Sequence, residues 1–367
     1  MKVSIKRAKK IVSNFVQQQL AGKNPPPIFL WGPPGVGKSE GVREIAAEKG
    51  IDIIDIRLGQ MEVVDARGIP YKWEPTKAEN GDKSLAITKW AIPEFFPQDR
   101  NTKALIFFDE LSTADPAIQV VAYQLLQERQ CGAYKLPPNV YMCAAGNGVG
   151  QYAISHTISS ALANRMVHLD IESDPGAWCE WAVSHDIAPE VVGFIRFSPE
   201  MLFDLVEGEC ERGWPSPRSW ENVSKILSYG LDDEELFACV EGLVGEVAAT
   251  QFYAFSEHSK ELGDIRAMML DQTKKMKVPT EQDILYAIAT NLAYWLRRGG
   301  ETVEESEKML DGFFRIGLQL PPAFATVAMV DALSGKDGEH LAKRLTEHKR
   351  FPDWQKKFAV DKKKKGL

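Results

Sequence analysis

The eight residues Gly32-Pro33-Pro34-Gly35-Val36-Gly37-Lys38-Ser39 set glycines at fixed offsets before a lysine and a hydroxyl. A polyphosphate needs several donors at once, and this pattern supplies them. Glycines remove the Cβ atoms that would hold a ligand off the backbone, so successive N–H groups can face the phosphates. A helix that starts where the loop ends adds its positive dipole end. Lys38 contributes a point charge to the terminal phosphates, and Ser39 offers a hydroxyl to Mg²⁺, which prefers oxygen ligands. With Glu40 in the first helical turn, residues 32–40 are the candidate stretch for a nucleoside triphosphate.

Phe107-Phe108-Asp109-Glu110 closes an apolar run with two adjacent carboxylates. At the carboxyl edge of a parallel sheet such acids face the ligand crevice. There Asp109 would complete a Mg²⁺ shell and Glu110 would orient or deprotonate an attacking water. Ala144-Ala145-Gly146-Asn147 brings an amide to the same edge. Asn147 either contacts the γ-phosphate or the water, or simply opens an Asn-Gly turn with Gly148. Two arginines stay open on residue type alone. Arg165 follows small and apolar residues, and Arg218 sits at a helix start flanked by Pro and Trp; either is a solvated charge or a phosphate contact.

These residues require a sheet to carry them. Apolar runs at 27–31, 51–58, 104–109, 140–145 and 166–171 read as strands, separated by helical stretches such as 39–49, which Gly50 stops. Alternation of this kind predicts an α/β layer with a mostly parallel sheet over residues 1–172. Ile5, Ala8, Val12, Phe15 and Val16 recur at helical spacing beside a basic face. That stripe is expected to pack on the neighbouring domain, with a membrane surface as the alternative. The connection 59–103 is too long for a bare loop and should hold inserted structure. After about residue 173 strand signals fade, and the rest reads as all-α.

The length of 367 residues suggests more than one domain, and a 44% hydrophobic share allows real cores. A net charge of −7 argues against a surface dominated by phosphate-backbone binding. The five cysteines are odd in number and lack C-x-x-C spacing, and the six histidines form no H-E-x-x-H pair, so a disulfide frame or zinc site is not expected. The histidines read as structural or solvated. No apolar run reaches the length of a bilayer span and no secretory h-region is present, which gives a cytoplasmic expectation. Lys362-Lys363-Lys364-Lys365 reads as a solvated tail.

In order and spacing these residues resemble an AAA+ ATPase, most closely the MoxR-like branch, across residues 1 to about 225. The resemblance assigns Walker A to 32–39, Walker B to 105–110 and sensor 1 to Asn147. It makes Arg165 the arginine finger that reaches a neighbouring subunit's ATP, and Arg218 sensor 2 on a helical lid. It implies a three-layer αβα P-loop domain, a lid over 173–285 and a C-terminal helical extension over 286–367. ATP and Mg²⁺ are the implied cofactors. The implied assembly is a hexameric ring, and the implied work is remodelling or activation of a protein client, often one with a von Willebrand A domain. A nucleic-acid motor or loader is the alternative for the same core. By resemblance the 59–103 segment, with Asp65-Ala66-Arg67-Gly68-Ile69-Pro70 and Trp90 to Phe96, is a helix-2 insert facing pore or client; its aromatics otherwise close the core. A second hairpin is expected at 129–138. Ser112-Thr113-Ala114-Asp115 departs from the family's more usual Asn-Arg-Ala-Pro.

Overall fold

The computed structural model describes residues 2–73, 87–132, 134–148, 163–205, 212–260, 263–271, 273, 276, 278–335 and 337–358. The chain divides into two compact units, Met1–Glu172 and Ser173–Leu367. The first holds β1 (Lys2–Ser4), α1 (Ile5–Leu20), β2 (Ile28–Trp31), α2 (Lys38–Lys49), β3 (Asp52–Arg57), α3 (Val63–Arg67), β4 (Ile69–Trp73), β5 (Ile87–Ala91), β6 (Ala104–Asp109), α4 (Pro116–Glu128), β7 (Gln130–Cys131), β8 (Tyr134–Lys135), β9 (Val140–Gly146) and β10 (Val167–Glu172). Six of these strands form one parallel sheet in the order β1-β10-β2-β9-β6-β3. This is the expected α/β layer. β6 and β9 are apolar almost throughout and buried, as strands covered on both faces must be.

α1 buries Ala8, Val12, Val16 and Gln19. Its stripe packs within its own unit, correcting the expectation of a neighbouring domain. Phe15 meets the Tyr141 ring edge-on at 6.4 Å, and Gly41 of α2 lies so close that an added Cβ would stand 3.2 Å from Ile5. Lys9 closes the same contact with an ion pair to Glu44.

The long connection holds α3 and the antiparallel hairpin β4–β5, with Pro70 opposite Trp90 and Trp73 opposite Ile87; residues 74–86 lie outside the described residues. The hairpin expected at 129–138 is the β7–β8 pair, with Ala133 also outside them. Lys362 to Lys365, Cys210 and His156 likewise fall outside the described residues.

The second unit is helical as far as it is described. Trp178, Phe194, Trp220 and Phe252 centre one apolar cluster, and Leu292, Phe313, Phe314 and Trp354 centre another. The border expected at 285/286 lies inside one continuous helix, Gln282–Arg298, which gives Ala287 to the first cluster and Ile288 to the second. Asp331, on the helix Pro322–Ala332, is 3% exposed. It accepts two bonds from Arg196 of the helix Pro189–Phe197, one of them 2.7 Å long. Burial opposes the guanidinium charge, and the carboxylate outweighs that cost, so the Arg196 pKa stands above its ordinary value. Asp331→Ala leaves this cation buried and unpaired, so urea denaturation should show a loss of about 3–5 kcal/mol. The double variant with Arg196→Met should recover part of it, and an unchanged midpoint in Asp331→Ala would count against the pair.

Glu190, in the first turn of the same helix, behaves in the opposite sense. Burial pushes its carboxyl above the ordinary value, and a bond to its own backbone N–H offsets this only in part. The folded state therefore holds that proton more tightly than the unfolded chain does. The associated stability is complete below the ordinary carboxylate range and is lost as pH rises through the raised value. Glu190→Gln should melt above the wild type at about pH 8 and converge with it towards about pH 4. Equal melting at both ends would mean that the carboxylate is held without cost.

Candidate functional site

The order β2-β9-β6 sets three parallel strands side by side, so the loops leaving their carboxyl ends share one edge. After β2 the chain turns at once into the loop 32–37. The Gly32 N–H donates to the carbonyl of Gly146 at 3.3 Å, which ties the loop to the end of β9. Gly35 and Gly37 have φ of 83° and 90°, the left-handed region where glycine alone is unstrained. α2 then starts at Lys38, with its first N–H groups directed into the loop.

Lys38 is 8% exposed. Its ammonium donates to the carbonyls of Gly32 at 2.6 Å and Pro33 at 2.9 Å, and to Asn147 Oδ1 at 3.4 Å. Ser39 Oγ donates to Asp109 Oδ2 at 2.6 Å. Asp109 accepts the Glu110 N–H at 3.0 Å on its other oxygen. One bond thus links the loop lysine to Asn147 and another links Ser39 to Asp109, while Glu110 meets Asp109 through its backbone N–H. Glu40 is exposed, with its carboxylate paired to Arg43 on the same helix.

Glu110 has φ of 57°, so the chain swings out of the strand direction where the second carboxylate stands. Gly59, just after β3, comes so near that an added Cβ would lie 3.2 Å from Glu110 Oε2. Thr113 Oγ1 donates to the Glu110 carbonyl at 2.9 Å and steadies the turn. Beside the loop, the Trp31 indole N–H donates to His168 Nδ1 at 2.8 Å, and the other ring nitrogen meets the Ala163 carbonyl at 2.8 Å. Both ring nitrogens of this exposed histidine thus have partners.

Arg165 lies outside these bonded pairs. Arg165 is exposed and donates to Gln127 near the end of α4. Arg218 is exposed in the second unit, in the first turn of the helix Pro217–Ile226, whose start Ser216 caps by accepting from the Ser219 N–H. Sequence reasoning passed over Gly59 and Ser112 as site residues. Their contacts join segments far apart in the chain, and only Ser112's departure from the family pattern marked it.

Ser39 and Asp109 offer the hard oxygen donors that suit Mg²⁺, already within hydrogen-bond distance of each other. Lys38 and the start of α2 supply fixed positive charge where phosphates would lie. Among the described residues no helix is long and apolar enough to cross a membrane.

Among solved structures, the chain is similar to the RuvB Holliday junction branch migration motor of Thermotoga maritima at 15% identity, covering 82% of this chain and 89% of that one, with a TM-score of 0.35. A putative ATPase from Cytophaga hutchinsonii matches at 15% identity over 64% of this chain and 81% of that one, TM-score 0.31. NtrX from Brucella abortus matches at 11% over 91% and 67%, TM-score 0.34. Likenesses this distant carry no argument about activity or partner. No curated protein matches the sequence. Residues 28–169 match the model of the AAA family, the ATPase family associated with various cellular activities, so that the chain carries an AAA ATPase domain, one that binds and hydrolyses ATP.

Proposed function

We propose that this chain is a MoxR-like ATPase that spends ATP on remodelling or activating a protein partner, as a chaperone-like ring with six subunits. The partner class we favour is a protein with a von Willebrand A domain, met in the cytoplasm. One observation carries the client reading: the insert between β3 and β6 displays apolar side chains. Ile69 is 64% exposed and Ile92 49%, with Tyr71 and Ile87 nearly as open. Arg67 lies 4.4 Å over the Trp90 ring and Lys89 3.5 Å over that of Trp73. Phe96, in contrast, is buried and stacks on Tyr134 at 5.0 Å, so it closes the core.

In the reaction, water attacks the γ-phosphate in line with the departing diphosphate. Ser39 and Asp109 would hold Mg²⁺, which would neutralise part of the phosphate charge. The stretch 32–40 binds the nucleotide, chiefly through backbone N–H groups and Lys38. Glu110 takes the proton of the attacking water, and Asn147 positions that water against the phosphate. Arg165 stabilises the transition state of a neighbouring subunit, and Arg218 senses nucleotide from the lid.

The test compares ATPase stimulation by candidate proteins with stimulation by polynucleotides. Candidates come from a pull-down on the Glu110→Gln variant, which should hold ATP and turn it over at least about a hundredfold more slowly. Ile69→Ser with Tyr71→Ser should abolish protein stimulation and leave basal turnover intact. Stimulation by DNA or RNA alone would replace this reading with a nucleic-acid motor.

A further inference from the structure

β6 and β9 pair only as far as Phe108 opposite Ala144. At Glu110 the chain turns away with φ of 57°, so the carbonyl that a continuing β6 would present to the Asn147 N–H is missing. Two bonds carry the ladder past this point. The Leu111 N–H donates to the Ala145 carbonyl at 2.9 Å, and the Asn147 N–H donates to Ser112 Oγ at 2.9 Å. A serine hydroxyl thus stands where a strand carbonyl would stand.

The fit around that hydroxyl is tight. Ser112 is 1% exposed. A Cβ added at Gly146 would lie 2.6 Å from Ser112 Oγ and 2.9 Å from its Cβ. Any larger residue at 146 would drive Ser112 off Asn147, which gives a reason for glycine just before the amide. Asn147 in turn reaches Lys38 at 3.4 Å.

We propose that Ser112 is a positioning residue for hydrolysis: its hydroxyl locks the Asn147 backbone to the turn that carries Glu110. The two groups assigned to the attacking water then move as one unit. This rests on the roles proposed above for Glu110 and Asn147. Ser112 is buried and bonded to the Asn147 N–H, so its loss should leave ATP affinity to the loop 32–39 and Lys38 and act on turnover. A buried N–H left without an acceptor shifts to find one, and Asn147 would shift with it.

The experiment is a double-mutant cycle on the full chain, with ATP affinity, kcat and melting temperature measured for each variant. Ser112→Ala should lower kcat by about tenfold, the equivalent of one such hydrogen bond, while ATP Kd stays within about twofold. On an Asn147→Ala background the same change should cost little more, because Ser112 acts through Asn147. An equal further loss on that background would overturn the proposal, as would normal turnover in Ser112→Ala beside an impaired Asn147→Ala. If Asn147→Ala itself turns over normally, the role of Asn147 falls first and that of Ser112 with it. Ser112→Thr keeps the hydroxyl and covers poor folding of the alanine variant. Turnover in Ser112→Thr within about threefold of wild type supports positioning, and loss of ATP binding in both variants makes Ser112 a packing residue and overturns it.

Discussion

Arg165→Ala should bind ATP normally and hydrolyse it about 10³ to 10⁵ times more slowly, the range set by an arginine supplied to a transferring phosphoryl group. Arg165 is exposed and bonded to Gln127, at the end of a helix rather than in the bonded network of the phosphate loop. A cation at the surface can serve a phosphate that a neighbour holds. If the proposed ring assembles, turnover per subunit should therefore fall on dilution. Mixing Arg165→Ala with Glu110→Gln should restore part of the activity, because a subunit with an intact Glu110 can borrow Arg165 from its neighbour. Constant activity on dilution to a demonstrated monomer, or no recovery despite proven subunit exchange, would return Arg165 to the role of a surface charge.

The second large effect is on binding. Lys38→Ala should weaken ATP binding by about 10- to 150-fold, the equivalent of one charge-assisted hydrogen bond. In this structure the ammonium is held by two carbonyls of its own loop and by Asn147, which keeps positive charge inside the loop. Lys38→Arg should not rescue fully, because a planar guanidinium does not occupy the site of a compact ammonium. Calorimetric titration with ATP measures both variants. Unchanged affinity in Lys38→Ala would remove this loop from the nucleotide site.

β2, β6 and β9 were legible because they are buried on both faces and so appear as short apolar runs. The expected 51–58 strand is shorter, Asp52–Arg57, because a 3₁₀ turn at Leu58–Gln60 takes its last residue. β1 went unread: three residues with one buried side chain carry no pattern, and pairing with β10 makes them a strand. The hairpin β4–β5 was anticipated only as inserted structure, since every residue of β4 is exposed and leaves no alternation to read. Its strands are visible only through their pairing.

The loops of the candidate site were legible because phosphate chemistry demands particular residue types at particular spacings. Lys38 bonds Asn147, its neighbour Ser39 bonds Asp109, and Glu110 meets Asp109 through its backbone N–H. Ser112 was not legible as a site residue. A serine two places after Glu110 carries no signal by itself, and its meaning comes from a partner 35 residues away. The same holds for Gly59, whose importance lies in the side chain it leaves room for.

The central claim is that the edge shared by β2, β9 and β6 is a hydrolytic centre with Glu110 as its base, and the most direct measurement compares ATP affinity with single-turnover hydrolysis in wild type and Glu110→Gln. The glutamine keeps the shape and loses the charge, so it should bind ATP with unchanged affinity and hydrolyse it at least about a hundredfold more slowly, the contribution expected of a general base. Hydrolysis by Glu110→Gln at the wild-type rate, with nucleotide bound to the same loop, would contradict the claim.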